Sequence, residues 1–238
     1  MPDLIAGVAD MLRETRRAER DLFGALDASV RETPIRPGDW TPKDFQAHLT
    51  AWKARQANRF AAARRGGEAH LTPDGETDEV NAKLREARLD WTWDAIVEEA
   101  DTVSDQLLRE VTTTTPDMLE QFENLLAGTF GNGPFHAMTH FAWLEDAGVP
   151  VDSGRIARFA DTIEEGVRTT DLPARDAGTA IYNLACYHAL AGRLDVARGQ
   201  LREAFELRPD LADFSMADDD LIAIRGELPA LAGRDDLG

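Results

Sequence analysis

GNGPFHAMTHFAWLE, residues 131–145, carries two of the chain's five histidines, four apart, on an otherwise apolar segment. The Gly131-Asn132-Gly133 lead-in predicts a turn. Pro134 predicts a helix start, because proline's fixed φ and missing N–H suit the first helical position. The predicted helix runs to about Ala147 and stops at Gly148. On a wheel, His136, His140, Trp143 and Leu144 share one face, while Phe135, Met138, Phe141 and Ala142 spread over the opposite side. A helix that is apolar nearly all round is buried on more than one side. One side should therefore face a bundle interior, and the C-terminal part of the chain should cover the other.

Working back from this segment, apolar residues recur at three and four, and period-two β-branched runs are missing, so the chain reads as all-α. Leu4, Ile5, Val8, Met11, Leu12, Leu22, Phe23 and Leu26 mark a long first helix that fades at Thr33-Pro34 and Arg36-Pro37-Gly38. Thr41, Pro42 and Asp44 form an N-cap, a first-turn proline and a capping-box acid, with Trp40 and Phe45 placed for a hydrophobic staple. That second helix should end near Ala63, before a loop over 66–76. Residues 77–111 read as a third helical region broken near Asp90–Thr92, with Thr92 capping its second half. Residues 117–127 read as a short helix ending at Gly128. Four main helices with short or medium connections predict an up-and-down four-helix bundle over 1–150.

The boundary falls in Gly148–Gly154. Beyond it, residues 178–211 fit one tetratricopeptide-like repeat. Leu184 and Ala185 take the large and small positions of its first helix, Gly192 the turn, Ala197, Leu201 and Ala204 the second helix, and Pro209 the end. His188 stands where that motif usually has an aromatic. One repeat cannot bury its own faces, so residues 155–169 and 219–232 are expected as flanking helices. The expectation for 151–238 is a TPR-like helical array.

Charge narrows the partners. The formal net charge is -18, from 26 basic and 44 acidic residues, and both parts are acidic. Without a basic stripe, nucleic acid and an anionic membrane surface are excluded as expected partners. The single cysteine, Cys186, fits a reducing cytoplasm. The N-terminus has no positive segment ahead of its apolar residues, so no signal peptide is expected and the localisation expected is cytoplasmic.

Buried neutral histidines without partners are costly. Side chains four apart on a helix are neighbours and can converge on one ion, and open zinc sites commonly take three protein ligands and a water. His48, in TPKDFQAHLTAWKAR, lies at the edge of the stripe formed by Phe45, Leu49, Trp52 and Phe60, and is the candidate third ligand. The competing reading makes His136 and His140 core or rim residues bonded to backbone and acids.

Trp40-Thr-Pro-Lys-Asp44 leading to His48-Leu-Thr-Ala-Trp52, followed by His136-x-x-x-His140, resembles the DinB-like superfamily of four-helix bundles over about residues 5–148. That superfamily includes bacterial thiol S-transferases and a mycothiol-dependent maleylpyruvate isomerase. The resemblance implies His48, His136 and His140 as ligands of a divalent metal, zinc or nickel. It also implies a low-molecular-weight thiol cosubstrate and a small electrophilic substrate. The stretch around His48 is similar as well to a related bundle group, typified by a colibactin-resistance protein, that does not rely on the triad. The alternative function is a non-catalytic bundle whose repeat-like tail binds a peptide or protein partner or stabilises a homodimer.

No catalytic residue is assigned. Ala137 stands where an HExxH protease would carry its base. Asp44 is explained by capping, and Glu145 should face solvent. Cys186 and His188 are expected to be structural, Trp91 and Trp93 core or rim, and His70 solvated. Asp218-Asp219-Asp220 reads as an acid cluster at a helix N-terminus.

Overall fold

Every regular element among the described residues is helical, in a computed structural model that describes residues 2–35, 40–67, 77–122 and 124–234. The helices are α1 (Pro2–Gly24), α2 (Ala28–Arg31), α3 (Pro42–Arg64), α4 (Thr77–Glu86), α5 (Trp93–Thr112), α6 (Pro116–Gln121) and α7 (Asn124–Asn132). They continue with α8 (Pro134–Asp146), α9 (Ser153–Thr169), α10 (Ala174–Leu190), α11 (Leu194–Leu207) and α12 (Leu211–Ser215). A 3-10 helix, Asp219–Glu227, leads into α13 (Leu228–Leu231). No helix is long and apolar enough to cross a membrane among the described residues. The Arg36-Pro37-Gly38 break, His70 and most of the 66–76 loop lie outside the described residues.

Local chemistry sets several of these boundaries. The Thr41 hydroxyl accepts the Asp44 N–H at 3.1 Å, and the Asp44 carboxylate accepts the Thr41 N–H at 2.9 Å, a complete capping box. Trp40 and Phe45 close the staple with ring centroids 5.7 Å apart. Thr92 caps α5 by accepting the Ala95 N–H at 3.2 Å. Gly148, at φ +75°, ends α8, and Gly192, at φ +72°, turns α10 into α11. Both lie in the left-handed region, which only glycine enters at little cost.

Some elements differ from expectation: the helix expected over 117–127 is two, α6 and α7, with Phe122 as the C-cap of α6, and the one expected over 219–232 is a 3-10 helix followed by the short α13. Gly128 does not end a helix. α7 runs through Gly128 and Gly131 to Asn132, leaving Gly133 as the only break before α8. Tertiary packing overrides propensity here. A Cβ on Gly128 would sit 2.6 Å from the Gln56 Oε1 and 3.1 Å from the Arg59 guanidinium, so the glycine lets α7 approach α3 closely. Gln56 cannot yield, because it is fully buried and donates to the Leu125 carbonyl at 2.8 Å and the Thr129 hydroxyl at 3.3 Å. Gly128→Ala is therefore expected to destabilise the chain by about 1–3 kcal/mol, as overpacking does. A urea melt shifted by less than a tenth of that would contradict the packing argument.

The core is continuous from Leu4 to Leu231. Helices α1, α3, α5 and α8 pack on one another, and α8 also meets α7, α9 and α10. The expected two-sided burial of α8 is visible at Phe141, which is fully buried with its ring 5.7 Å from Phe23 on α1 and 5.8 Å from Phe159 on α9. The segment 131–145 is thus the seam between the two parts of the chain. α10 and α11 form a hairpin against this seam, followed by the short elements that close the C-terminal end.

The bundle interior is not purely apolar. Glu19 on α1 is wholly buried, and its two carboxylate oxygens lie 2.5 and 2.6 Å from the Lys53 Nζ on α3. Gln46 donates to the same carboxylate at 3.4 Å, and Arg16 joins it to Asp101 on α5. This network ties α1, α3 and α5 together.

Candidate metal centre and its cleft

His48 sits on the second turn of α3, where the capping box and staple set the phase of the helix. His136 and His140 sit one turn apart on α8. Crossing of α3 and α8 brings the three rings together, with centroids 4.7 Å apart for His48–His136, 5.0 Å for His48–His140 and 4.7 Å for His136–His140. Their Nε2 atoms converge: His136 Nε2 lies 3.0 Å from that of His48 and 3.1 Å from that of His140. All three residues singled out in the sequence therefore meet at one point.

The geometry fits a small divalent ion. With Zn–N near 2.0–2.1 Å and tetrahedral angles, nitrogen ligands lie about 3.3 Å apart, close to the separations seen. Without a cation, three acceptor lone pairs would face one another, and only ring protons placed between them would relieve that. The Nδ1 atoms of all three rings are buried without a hydrogen-bond partner among the described residues. This departs from the usual arrangement, in which the second ring nitrogen of a metal ligand is held by a carboxylate or carbonyl. Aromatic packing holds the rings instead. Trp40 lies against His48 at 4.9 Å, Phe45 against His140 at 4.8 Å and Trp143 against His140 at 4.8 Å, as centroid separations.

Burial keeps these rings neutral. Desolvation pushes His48 down to about 4. Desolvation, with the neighbouring rings adding to it, holds His136 and His140 well below the usual histidine range, and Lys53 adds to the effect at His136. Neutral imidazole is the metal-binding form, so protons compete only at low pH. The sign follows from proton binding. Between about pH 6.5 and 4 the unfolded chain takes up protons that the folded rings refuse, so the metal-free fold loses stability as pH falls through that window. A metal-loaded chain should retain its ion at pH 5.5 and release it as pH approaches 4. Metal analysis after dialysis at stepped pH checks this, and release already at pH 6.5 would contradict it.

The triad opens into a cleft of about 910 Å³ whose far wall comes from the C-terminal part: Asn183 and Leu190 of α10, and Asp218, Asp219 and Asp220 at the start of the 3-10 helix. The acid cluster was legible as a helix cap, and it is one: the Asp218 carboxylate accepts the Asp220 N–H at 3.0 Å. Its place across from the histidines was not legible, because about eighty residues and a chain reversal separate them. Burial, then the charges of Asp218 and Asp219, raises the Asp220 carboxyl to about 6.

The remaining singled-out residues fall where expected or have structural partners. Asp44 is committed to its cap and to Arg85 at 3.1 Å, and Glu145 is exposed. Cys186 is buried, its thiol pushed up first by burial and facing the Asp218 carboxylate at 3.7 Å. His188 is buried and accepts from the Arg193 guanidinium at 2.7 Å. Arg31 stacks over Trp93 at 4.6 Å, and Trp91 is on the rim. With this geometry in view, no family model, no curated protein and no solved structure matches the chain.

Proposed function

We propose that the chain is a DinB-like metalloprotein whose His48, His136 and His140 hold a zinc or nickel ion, and that it transfers a low-molecular-weight thiol to a small electrophile. The observation that carries the reading is the convergence of three neutral Nε2 atoms, on the buried His48 and His140 and the half-buried His136, on one point in the lining of an open cleft. The packing of α1, α3, α5 and α8 supports a four-helix bundle as the host, and the α10–α11 hairpin with its glycine turn supports a tetratricopeptide-like element behind it.

When bound, a divalent ion would supply Lewis acidity that favours the thiolate form of a thiol at neutral pH. The chain's own residues contribute the rest. Trp40, Phe45 and Trp143 surround the rings, limit water access and offer apolar surface to the body of a substrate. In the transfer the thiol sulfur bonds to an electrophilic carbon as that carbon's bond to a leaving group, chloride in the test electrophile, breaks with its electron pair; the thiol proton leaves to solvent or to a carboxylate of the cleft. Asp220, with its raised pKa, is the carboxylate suited to hold that proton.

The test is thiol consumption by the zinc-loaded full chain with monochlorobimane as electrophile and a panel of small thiols. The expected result is a rate above background that disappears in His136→Ala/His140→Ala. Equal rates for the two chains would overturn the enzymatic reading. A scaffold reading is favoured by a separate observation: Phe214 and Ile222, on the C-terminal part, are 62% and 67% exposed. Capture of a defined peptide that is lost in Phe214→Ser/Ile222→Ser would support it.

A further inference from the structure

Outside the histidine centre, a second set of ligating groups converges on one point. Cys186 on α10 and Asp218 and Asp220 at the start of the 3-10 helix each present a ligand atom, and these atoms all lie within 4.8 Å of one another. Cys186 is 4% exposed, and its Sγ lies 3.7 Å from the Asp218 carboxylate. Tyr182, one turn earlier on α10, donates its hydroxyl to the same carboxylate at 2.6 Å. Both aspartates are half-buried. Packing of the 3-10 helix on α10 makes the cluster, so that residues 32 apart in sequence meet.

Packing accounts for a buried cysteine, and capping accounts for Asp218, whose carboxylate accepts the Asp220 N–H at 3.0 Å. Neither accounts for the Asp220 carboxylate, which has no hydrogen-bond or ion-pair partner among the described residues. Arg225, on the same 3-10 helix, donates instead to the Asp218 carbonyl at 3.0 Å and to the Asp219 carboxylate at 2.8 Å. The charges that act on Cys186 and Asp220 are those of neighbouring aspartates. Half-buried like charges without a cation oppose one another. A divalent ion at the common point reverses this. It offsets both carboxylates and takes the thiol as thiolate, the thiol proton leaving to solvent.

The donor set also fixes the class of ion. All-oxygen sites suit calcium and magnesium, whereas a thiolate selects a softer ion such as zinc or cadmium. Three protein ligands leave one tetrahedral position, and Asp218 and Asp220 border the histidine cleft. We propose that Cys186, Asp218 and Asp220 form a second metal site, one thiolate and two carboxylates, for a thiophilic divalent ion in the wall across from the histidines. The site does not depend on the histidine centre. Burial keeps the Cys186 thiol protonated, so its ion must displace a proton and binds more weakly than one on neutral imidazoles. It fills only at ion levels above those that fill the triad. Once filled, it makes Asp220 a ligand and leaves the proton of a thiol transfer to solvent.

Cadmium is titrated into the full chain at neutral pH and followed by its ultraviolet sulfur-to-metal charge-transfer band. Cys186 is the only cysteine, so the band reports this site and is blind to an ion on the histidines. The band should appear and saturate, and excess zinc should erase it while calcium does not. Asp218→Asn/Asp220→Asn should weaken cadmium at this site by at least about 100-fold, the upper end of what an outer-shell change costs. Asp220→Asn alone has no side-chain partner to lose, so it decides the matter if the double variant does not fold. It should cost at least about tenfold. No band, a band of unchanged affinity in Asp220→Asn, or calcium competing as well as zinc overturns the proposal. The His136→Ala/His140→Ala variant separates the two metal readings. It should keep the sulfur band, so failure of the triad leaves this site standing. Zinc held by the wild-type chain without any sulfur band removes only this one.

Discussion

Zinc loading of the full chain is expected to raise its melting temperature by about 8–16 °C when free ion stands about a thousandfold above Kd. The arithmetic is mass action. A ligand at a thousand times Kd adds about 4.1 kcal/mol to the folded state, and in a chain of this size each kcal/mol moves the midpoint by about 2–4 °C. The rings suit such a gain because they are already neutral and already gathered, with Nε2 atoms 3.0 and 3.1 Å apart across the centre. Little ordering or deprotonation remains to be done on binding. His136→Ala/His140→Ala should abolish the shift and the bound ion, and His48→Ala should weaken binding by more than the 10–100-fold typical of outer-shell changes. A wild-type midpoint that ignores zinc, together with an ion content well below one per chain, would remove the metal centre altogether. Zinc retained in the double alanine variant would instead place it elsewhere.

Glu19→Ala should destabilise the chain by about 3–5 kcal/mol, because it leaves the Lys53 ammonium buried without its partner. At about 2–4 °C per kcal/mol this lowers the midpoint by roughly 6–20 °C. Both groups are essentially removed from water, Glu19 at 0% and Lys53 at 2% exposure, so solvent screening offers the stranded charge little relief. Burial, with the nearby Arg16 charge adding to it, holds the Lys53 pKa below its ordinary value, and the Glu19 charge opposes that shift. Removing Glu19 therefore drives Lys53 toward its neutral form. Between the lowered folded pKa and the unfolded value near 10.5 the unfolded chain binds more protons, so stability rises with pH. The penalty of Glu19→Ala should accordingly shrink between pH 7 and pH 10. Replacing both groups, as Glu19→Leu/Lys53→Met, should recover much of the loss, since an apolar pair of similar volume avoids desolvating two charges. A single-variant cost below about 1 kcal/mol would show that the pair is open to water.

These two predictions rest on features of different legibility. The three histidines were singled out from the spacing on α8, the place of His48 at the edge of an apolar stripe, and the DinB-like resemblance. His136 and His140 are one helical turn apart, and the Thr41–Asp44 box and the Trp40–Phe45 staple phase α3 so that His48 faces inward. The Lys53–Glu19 pair could not be found that way. A charged residue on an amphipathic helix normally reads as solvated, and only the crossing of α1 and α3 puts these two at 2.5 Å. Gly128 misled for a related reason. Taken locally it signals a stop, but in place it is the gap that admits Gln56.

Local chemistry therefore specified most of the helices, their caps, the two-sided burial of α8 and the three histidines of the candidate metal centre, because periodicity and capping act over a turn or two of chain. The cleft was decided by the fold. Its carboxylates come from α4, α8 and the 3-10 helix, and they meet only because the apolar back of α8 draws α9 and α10 onto it and so brings Asp218–Asp220 across from His136 and His140. Burial of that apolar surface is non-directional and has no sequence period. For that reason the wall facing the histidines becomes visible only when the chain is packed.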